Sequence, residues 1–273
     1  MHPWLIHFPP VSTYGACIVI GLALAWIWAR NRAPRAGVSP SHIDLLMPVL
    51  VGAGLLGAWL FGAWTDEATG NEGSGAVLVG ALLIATAGGI AYAVSTRIPL
   101  GVLGDICGAP LALGIGIGRL GCFFAGCCYG RVSDPQFGVR FPRDSFAFLD
   151  QVHRGLLPPD APQSLPVYPT QLYESGLCLL LALLLWGLGR RVRVSGEQFL
   201  WVGIGYALLR FMVEFFRGDN PAVVQLGQAG LTFSQVAAVG ILLLAAGTGV
   251  VRRRFAGRWG LRLAPERRSA IAG

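Results

Sequence analysis

The sequence predicts an all-α polytopic membrane protein, with about seven transmembrane helices and a small irregular or β head on the outer face. Three observations lead there. The 273 residues are 54% hydrophobic and only 13% charged, with mean hydropathy +0.60, where a soluble domain carries about a quarter charged residues. Apolar residues gather into seven runs near 13–30, 43–64, 75–95, 99–118, 172–189, 197–216 and 231–251. Each is close to the roughly 20 residues that cross a bilayer. The connections between runs alternate in charge, as connections on alternate sides of a membrane do.

Ahead of the first run, "MHPWLIHFPP" has neither a basic n-region nor a small-residue cleavage site, so no cleaved signal peptide is expected. The first run ends in "RNRAPR" and the second in the acidic "TDEATGNE". Arg97 follows the third, and a long mixed stretch, 119–171, follows the fourth. "RRVR", "RGDN" and "RRRFAGRWGLR" follow the fifth, sixth and seventh. Arginine-rich connections on one side predict an N-terminus outside and a C-terminus in the cytoplasm. The net charge of +7 comes from arginine without lysine, mostly between the runs, so membrane orientation accounts for it and no nucleic acid is implied. The chain reads as one integral membrane domain, 1–273, with 119–171 as an outer loop or head. There "DPQFGVRFPRD" and "LPPDAPQSLPVYP" carry turn and extended-strand signals.

Polar residues at the outer ends of the runs are the candidates for chemistry, because an ionisable group in a spanning segment is costly unless paired. Arg210, Glu214 and Arg217 in "LRFMVEFFRGDN" are spaced i, i+4, i+7. On a continuous helix they share a face, where two cations around one anion suit a phosphate. A self-satisfying ion-pair ladder is the alternative for Arg217. Arg119, at the end of the fourth run, opens "GRLGCFFAGCCYG". Snorkelling to the headgroups is its plain reading, and a glycine-rich phosphate cradle is the functional one. "VYPTQLYES" places Pro169 at a helix start, with Gln171 and Glu174 in the first turn and Tyr168 and Tyr173 as interfacial anchors. Tyr14 joins this set.

Cys122, Cys127 and Cys128 have three readings: metal ligands, a redox pair, or small residues packed in a turn. Paired Cys-x2-Cys spacing and a partner histidine are missing, so neither a metal nor another cofactor is expected and packing is preferred.

Together "GRLGCFFAGCCYG", "YPTQLYE" and "RFMVEFFR", in that order, resemble the prolipoprotein diacylglyceryl transferase family. "LTFSQ" at 231–235 resembles the start of that family's last helix, and Tyr14-Gly15 its N-terminal Tyr-Gly. The resemblance implies a seven-span enzyme of the bacterial inner membrane. Such an enzyme moves the diacylglyceryl group of phosphatidylglycerol onto the lipobox cysteine thiol of a preprolipoprotein and releases glycerol 1-phosphate. It implies catalytic roles for Arg119, Arg210, Glu214 and Tyr14. It implies substrate contacts at Arg119, Cys122, Gly130, Tyr168, Gln171, Glu174 and Arg217. It implies phosphatidylglycerol, the preprolipoprotein and the bilayer as partners.

Three motif positions depart from the family pattern. Gly75 stands where the third helix normally opens with His-Gly-Gly, Cys122 where the signature has Asn, and Tyr168 where a His precedes Pro-Ser/Thr-Gln. A proton acceptor would then be Glu214, Glu174 or a tyrosine. Two alternatives stay open: a paralogue with another acceptor or without catalysis, and a membrane thiol oxidoreductase using the three cysteines.

Overall fold

The computed structural model describes residues 4–7, 10–69, 74–143, 145–189, 195–217, 222–226 and 229–255. Seven long helices correspond to the seven apolar runs: α1 (Thr13–Arg32), α2 (Pro40–Thr69), α3 (Ser74–Ser95), α4 (Leu100–Ala125), α6 (Thr170–Leu188), α7 (Glu197–Glu214) and α8 (Phe233–Phe255). A short α5 (Phe146–His153) lies between α4 and α6. Four helical stretches are long and apolar enough to cross a membrane: Thr13–Ala36, Pro40–Trp64, Leu100–Ala125 and Thr170–Leu188. Val79–Ser95 and Ser234–Val250 are apolar but shorter. The remaining helix, α7, carries Arg210 and Glu214 within its 18 residues, and these polar groups lower its hydropathy.

Helix α4 is the hub, packed against α1, α6 and α7, while α2 pairs with α3 and α8 with α7. Lipid offers no hydrophobic drive between helices, so close packing and interhelical hydrogen bonds must supply it. Ser175 of α6 donates to the carbonyl of Gly116 at 2.7 Å and ties α6 to α4. The outward faces are apolar: Leu55, Trp59, Leu82, Leu183, Leu243 and Leu244 are all exposed, as lipid-facing side chains are in a bilayer protein.

The expected β structure takes a different form. Two antiparallel hairpins, β1 (Trp4–His7) with β2 (Pro10–Ser12) and β3 (Ala222–Leu226) with β4 (Ala229–Thr232), lie outside the 119–171 stretch. They lead into α1 and α8. Within 119–171 there are isolated bridges, Val132 and Val139 with Val167 and Pro142 with Gln163, beside α5. The helix boundary also moves, since α4 continues past 118 to Ala125 and Arg119 lies inside it.

At the end of the bundle where α4 begins, Asp105 is 3% exposed and caps α7. Its carboxylate accepts from the backbone N–H groups of Gly196 (2.6 Å), Gln198 (2.9 Å) and Phe199 (3.2 Å). These are donors that a helix start leaves without partners. Buried Arg32 donates to the Asp105 carbonyl at 3.1 Å and also to Gln198 Oε1, and Gln198 Nε2 donates to the Leu185 carbonyl at 2.7 Å. This network joins α1, α4, α6 and α7 at that end. Asp105→Ala strands these donors and the Arg32 cation, so we expect a loss of about 3 kcal/mol or more. Thermal unfolding in detergent checks it, and a wild-type midpoint would contradict it.

Candidate active site

Antiparallel helices bring the start of α1, the end of α4, the starts of α6 and α8, and the end of α7 to one end of the bundle, opposite Asp105. Gly126, with φ 71°, reverses the chain after α4. Its N–H donates to Phe123 O and that of Cys127 to Cys122 O, each at 3.2 Å, so the last carbonyls of the helix are satisfied. The chain then reaches Gly130, whose N–H donates to Tyr168 O at 2.9 Å, while Arg131 N–H donates to Phe216 O at 2.8 Å. Tyr168 N–H returns a bond to Arg131 O at 3.1 Å. The motifs "GRLGCFFAGCCYG", "VYPTQLYES" and "RFMVEFFR" are thus bonded to one another through the backbone. Only glycine fits at 130, since a Cβ there would lie 2.5 Å from Phe216 O and 2.8 Å from Tyr168 Cβ.

Among the described residues, two ion pairs lie within the long helices at this end. Arg119 Nη2 lies 2.8 Å from Glu174 Oε1, and Arg210 Nη1 lies 2.8 Å from Glu214 Oε2. Tyr206 donates to Glu174 at 3.2 Å, and Thr232 donates to Glu214 at 2.7 Å. Arg210 Nη2 donates to Ser234 Oγ at 3.0 Å. The carboxylate side chains are sealed, at 2% and 0% exposure, while those of Arg119 and Arg210 keep 18% and 15%. The anions therefore face the protein and the cations hold the accessible side. Tyr206 is in electrostatic contact with both arginines and links the two pairs.

The other expected residues fall around these pairs. Tyr14, half exposed in the first turn of α1, packs on Gly121 of α4 and is in electrostatic reach of Arg119 and the three thiols. Gln171 is 1% exposed; its Nε2 donates to Cys127 O at 2.7 Å, and its Oε1 has no hydrogen-bond partner among the described residues. Tyr168 meets Phe216 edge-to-face at 5.5 Å, with the Arg131 guanidinium 5.8 Å from its ring centroid.

Two placements correct the sequence reading. Helix α7 stops at Glu214, so Arg217 does not continue an i, i+4, i+7 face; it forms a β-bridge with Gly130. Glu174 lies one turn deeper in α6 than the first turn, which Thr170 and Gln171 occupy. Tyr206, Thr232 and Ser234 were not among the expected site residues. A tyrosine four residues before Arg210 on one helix was the available signal for the first.

The sulfurs of Cys122, Cys127 and Cys128 all lie within 4.8 Å of one another. Cys127 Sγ faces the Cys122 carbonyl at 3.8 Å, and the cations of Arg119 and Arg217 lie in electrostatic reach of Cys128. No histidine whose side chain is described joins the site: His42 pairs with Tyr92 at the opposite end, and His153 ends α5. Gly75 falls in the first turn of α3.

A sequence profile described as prolipoprotein diacylglyceryl transferase matches residues 3–251. The phosphatidylglycerol–prolipoprotein diacylglyceryl transferase of Methylococcus capsulatus is 31% identical over 89% of this chain and 94% of its own length. That of Clostridium tetani is 31% identical over 76% of this chain and 80% of its own. The second such enzyme of Clostridium perfringens is 36% identical, over 52% of this chain and about half (48%) of its own length. The profile runs from before α1 into α8 and takes in all three backbone-linked motifs and both ion pairs. This chain therefore belongs to the prolipoprotein diacylglyceryl transferase family.

Proposed function

We propose that this chain catalyses the first step of bacterial lipoprotein maturation, moving the diacylglyceryl group of phosphatidylglycerol onto the lipobox cysteine thiol of a preprolipoprotein. The observation that carries this is the pair of arginines at one bundle end, each backed by a sealed carboxylate. In the reaction the acceptor sulfur attacks a glyceryl carbon. The C–S bond forms as the C–O bond to phosphate breaks, and glycerol 1-phosphate departs. The phosphate passes from monoanionic diester to dianionic monoester as the thiol proton moves to a base. Arg119 and Arg210 are already in place, so they stabilise this growing charge more than the ground state. Gln171 Oε1, buried and without a hydrogen-bond partner among the described residues, is an acceptor available for a hydrogen bond from a headgroup hydroxyl once the site opens to lipid. An apolar groove of about 370 Å³ between α1, α4 and α6, lined by Trp28, Leu113, Leu179 and Trp186, suits an acyl chain. Leu113 lies roughly 9 Å along α4 from Arg119, at 1.5 Å per residue.

The enzyme sits in the inner membrane with this site on the outer face. Arg30, Arg32, Arg35 and Arg97 all lie towards the Asp105 end, which the positive-inside rule assigns to the cytoplasm. The N-terminus is then outside and the C-terminus inside. Expression in cells depleted of their own transferase tests the activity, and we expect diacylglyceryl-modified prolipoprotein to reappear. Unmodified precursor despite inserted protein would overturn the reading. A reporter fused after Gly273 that works only outside the cytoplasm would overturn the orientation.

A further inference from the structure

We propose that Cys122, Cys127 and Cys128 form a binding site for one thiophilic divalent d10 cation, of which Zn2+ is the simplest probe. The linear spacing hides this site because the chain reversal after α4 creates it. The helix-closing bonds at Gly126 bring Cys127 back over Cys122, an ordinary contact for such an ending. They do not account for Cys128. That residue adopts φ 57°, a left-handed conformation that costs a non-glycine residue about 1 kcal/mol or more.

Helix α6 holds the turn in this shape. Thr170 Oγ1 donates to Cys128 O at 2.8 Å, and Gln171 Nε2 donates to Cys127 O at 2.7 Å. With both carbonyls held, all three sulfurs gather within 4.8 Å of one another. A tetrahedral cation with bonds of about 2.3 Å to sulfur needs sulfurs about 3.8 Å apart. Closing by about 1 Å or less would complete the ligand set, and a fourth position stays open to water or another ligand.

The charges also fit. Three thiolates around a divalent ion carry one net negative charge, and Arg119 and Arg217 both lie in electrostatic reach of Cys128. Cys127 and Cys128 are partly buried and Cys122 lies deeper, so an ion enters from the Cys127–Cys128 side. Thiolate ligands favour soft ions over magnesium or calcium. The site rests on this geometry and stands whether or not the transfer reaction is the one proposed.

Metal titration of the full chain, purified in detergent, reduced and stripped with a chelator, tests the proposal. We expect one equivalent of Co2+ to bind with a sulfur-to-cobalt charge-transfer band, Zn2+ to displace it, and Zn2+ to raise the unfolding temperature. Cys128→Ser, which keeps the side-chain size, should lose the band and weaken binding roughly tenfold or more. The control Cys17→Ser/Cys107→Ser/Cys178→Ser should retain both. Absence of stoichiometric binding to reduced wild-type protein would overturn the proposal. So would an unchanged band in Cys128→Ser, or loss of the band in the control.

Discussion

Arg119→Ala is expected to lower transfer at least roughly a hundredfold while the protein still inserts in the membrane. The loss follows from removing a charge-assisted contact to a phosphate that gains charge in the transition state, about 3 kcal/mol of barrier. This variant alone is ambiguous. It leaves Glu174, whose side chain is 2% exposed, without its countercharge, and an uncompensated buried carboxylate can cost about 3–5 kcal/mol of stability. Arg119→Met/Glu174→Gln, read against Glu174→Gln alone, separates the two effects. It removes both charges and keeps the volume and the acceptor for Tyr206. The double variant should match the wild-type unfolding midpoint and still lose about a hundredfold in transfer. Recovery to within roughly tenfold of wild type would mean that Arg119 serves only to neutralise Glu174.

The seven helices were legible because hydropathy and the charge of the connections answer to the same bilayer. Their ends were less so. Arg119 marks a natural stop in a reading that treats charge as an end of membrane, yet "LGCFFA" continues the helix to Ala125. Its charge is tolerated there because Glu174 meets it from α6, a partner that is distant in sequence. Arg217 fails in the opposite direction. Helical spacing carried it onto the face of Arg210 and Glu214, but the chain turns at Phe215 and Phe216, and Phe216 O goes to Arg131 N–H instead. Asp105 was legible in principle, as the only charged residue of its run before Arg119. Its partners are backbone N–H groups of a later helix, which no pattern of side chains announces. The three cysteines stand out in the sequence with metal ligation as one reading, and packing is preferred there because sequence spacing says little about sulfurs brought together by a left-handed residue.

Glu214→Gln is expected to slow transfer by roughly a hundredfold to ten-thousandfold, the range that a general base contributes. Sulfur attacks as thiolate, so the acceptor proton must go to the enzyme before or during C–S bond formation. Gly75 and Tyr168 occupy the motif positions where the family has histidine, and His42 and His153 lie in other parts of the fold. Among the described side chains, the candidate acceptors at the site are then Glu214, Glu174 and Tyr14. Glu174 is shared between Arg119 and Tyr206, whose O–H donates to it at 3.2 Å. Glu214 holds its ion pair to Arg210 through Oε2 and accepts from Thr232 through Oε1 at 2.7 Å. The family resemblance gives Glu214 the catalytic role, and Glu174, which takes Arg119 and Tyr206 on Oε1, is the alternative acceptor. The glutamine variant keeps an acceptor for Thr232 and the shape of the side chain, and loses the capacity to take a proton. Single-turnover transfer with phosphatidylglycerol already bound isolates the chemical step. Lipid binding should hold while the transfer rate falls, and Glu214→Asp should recover part of it. A glutamine variant that turns over at the wild-type rate would move the proton to Glu174 or Tyr14.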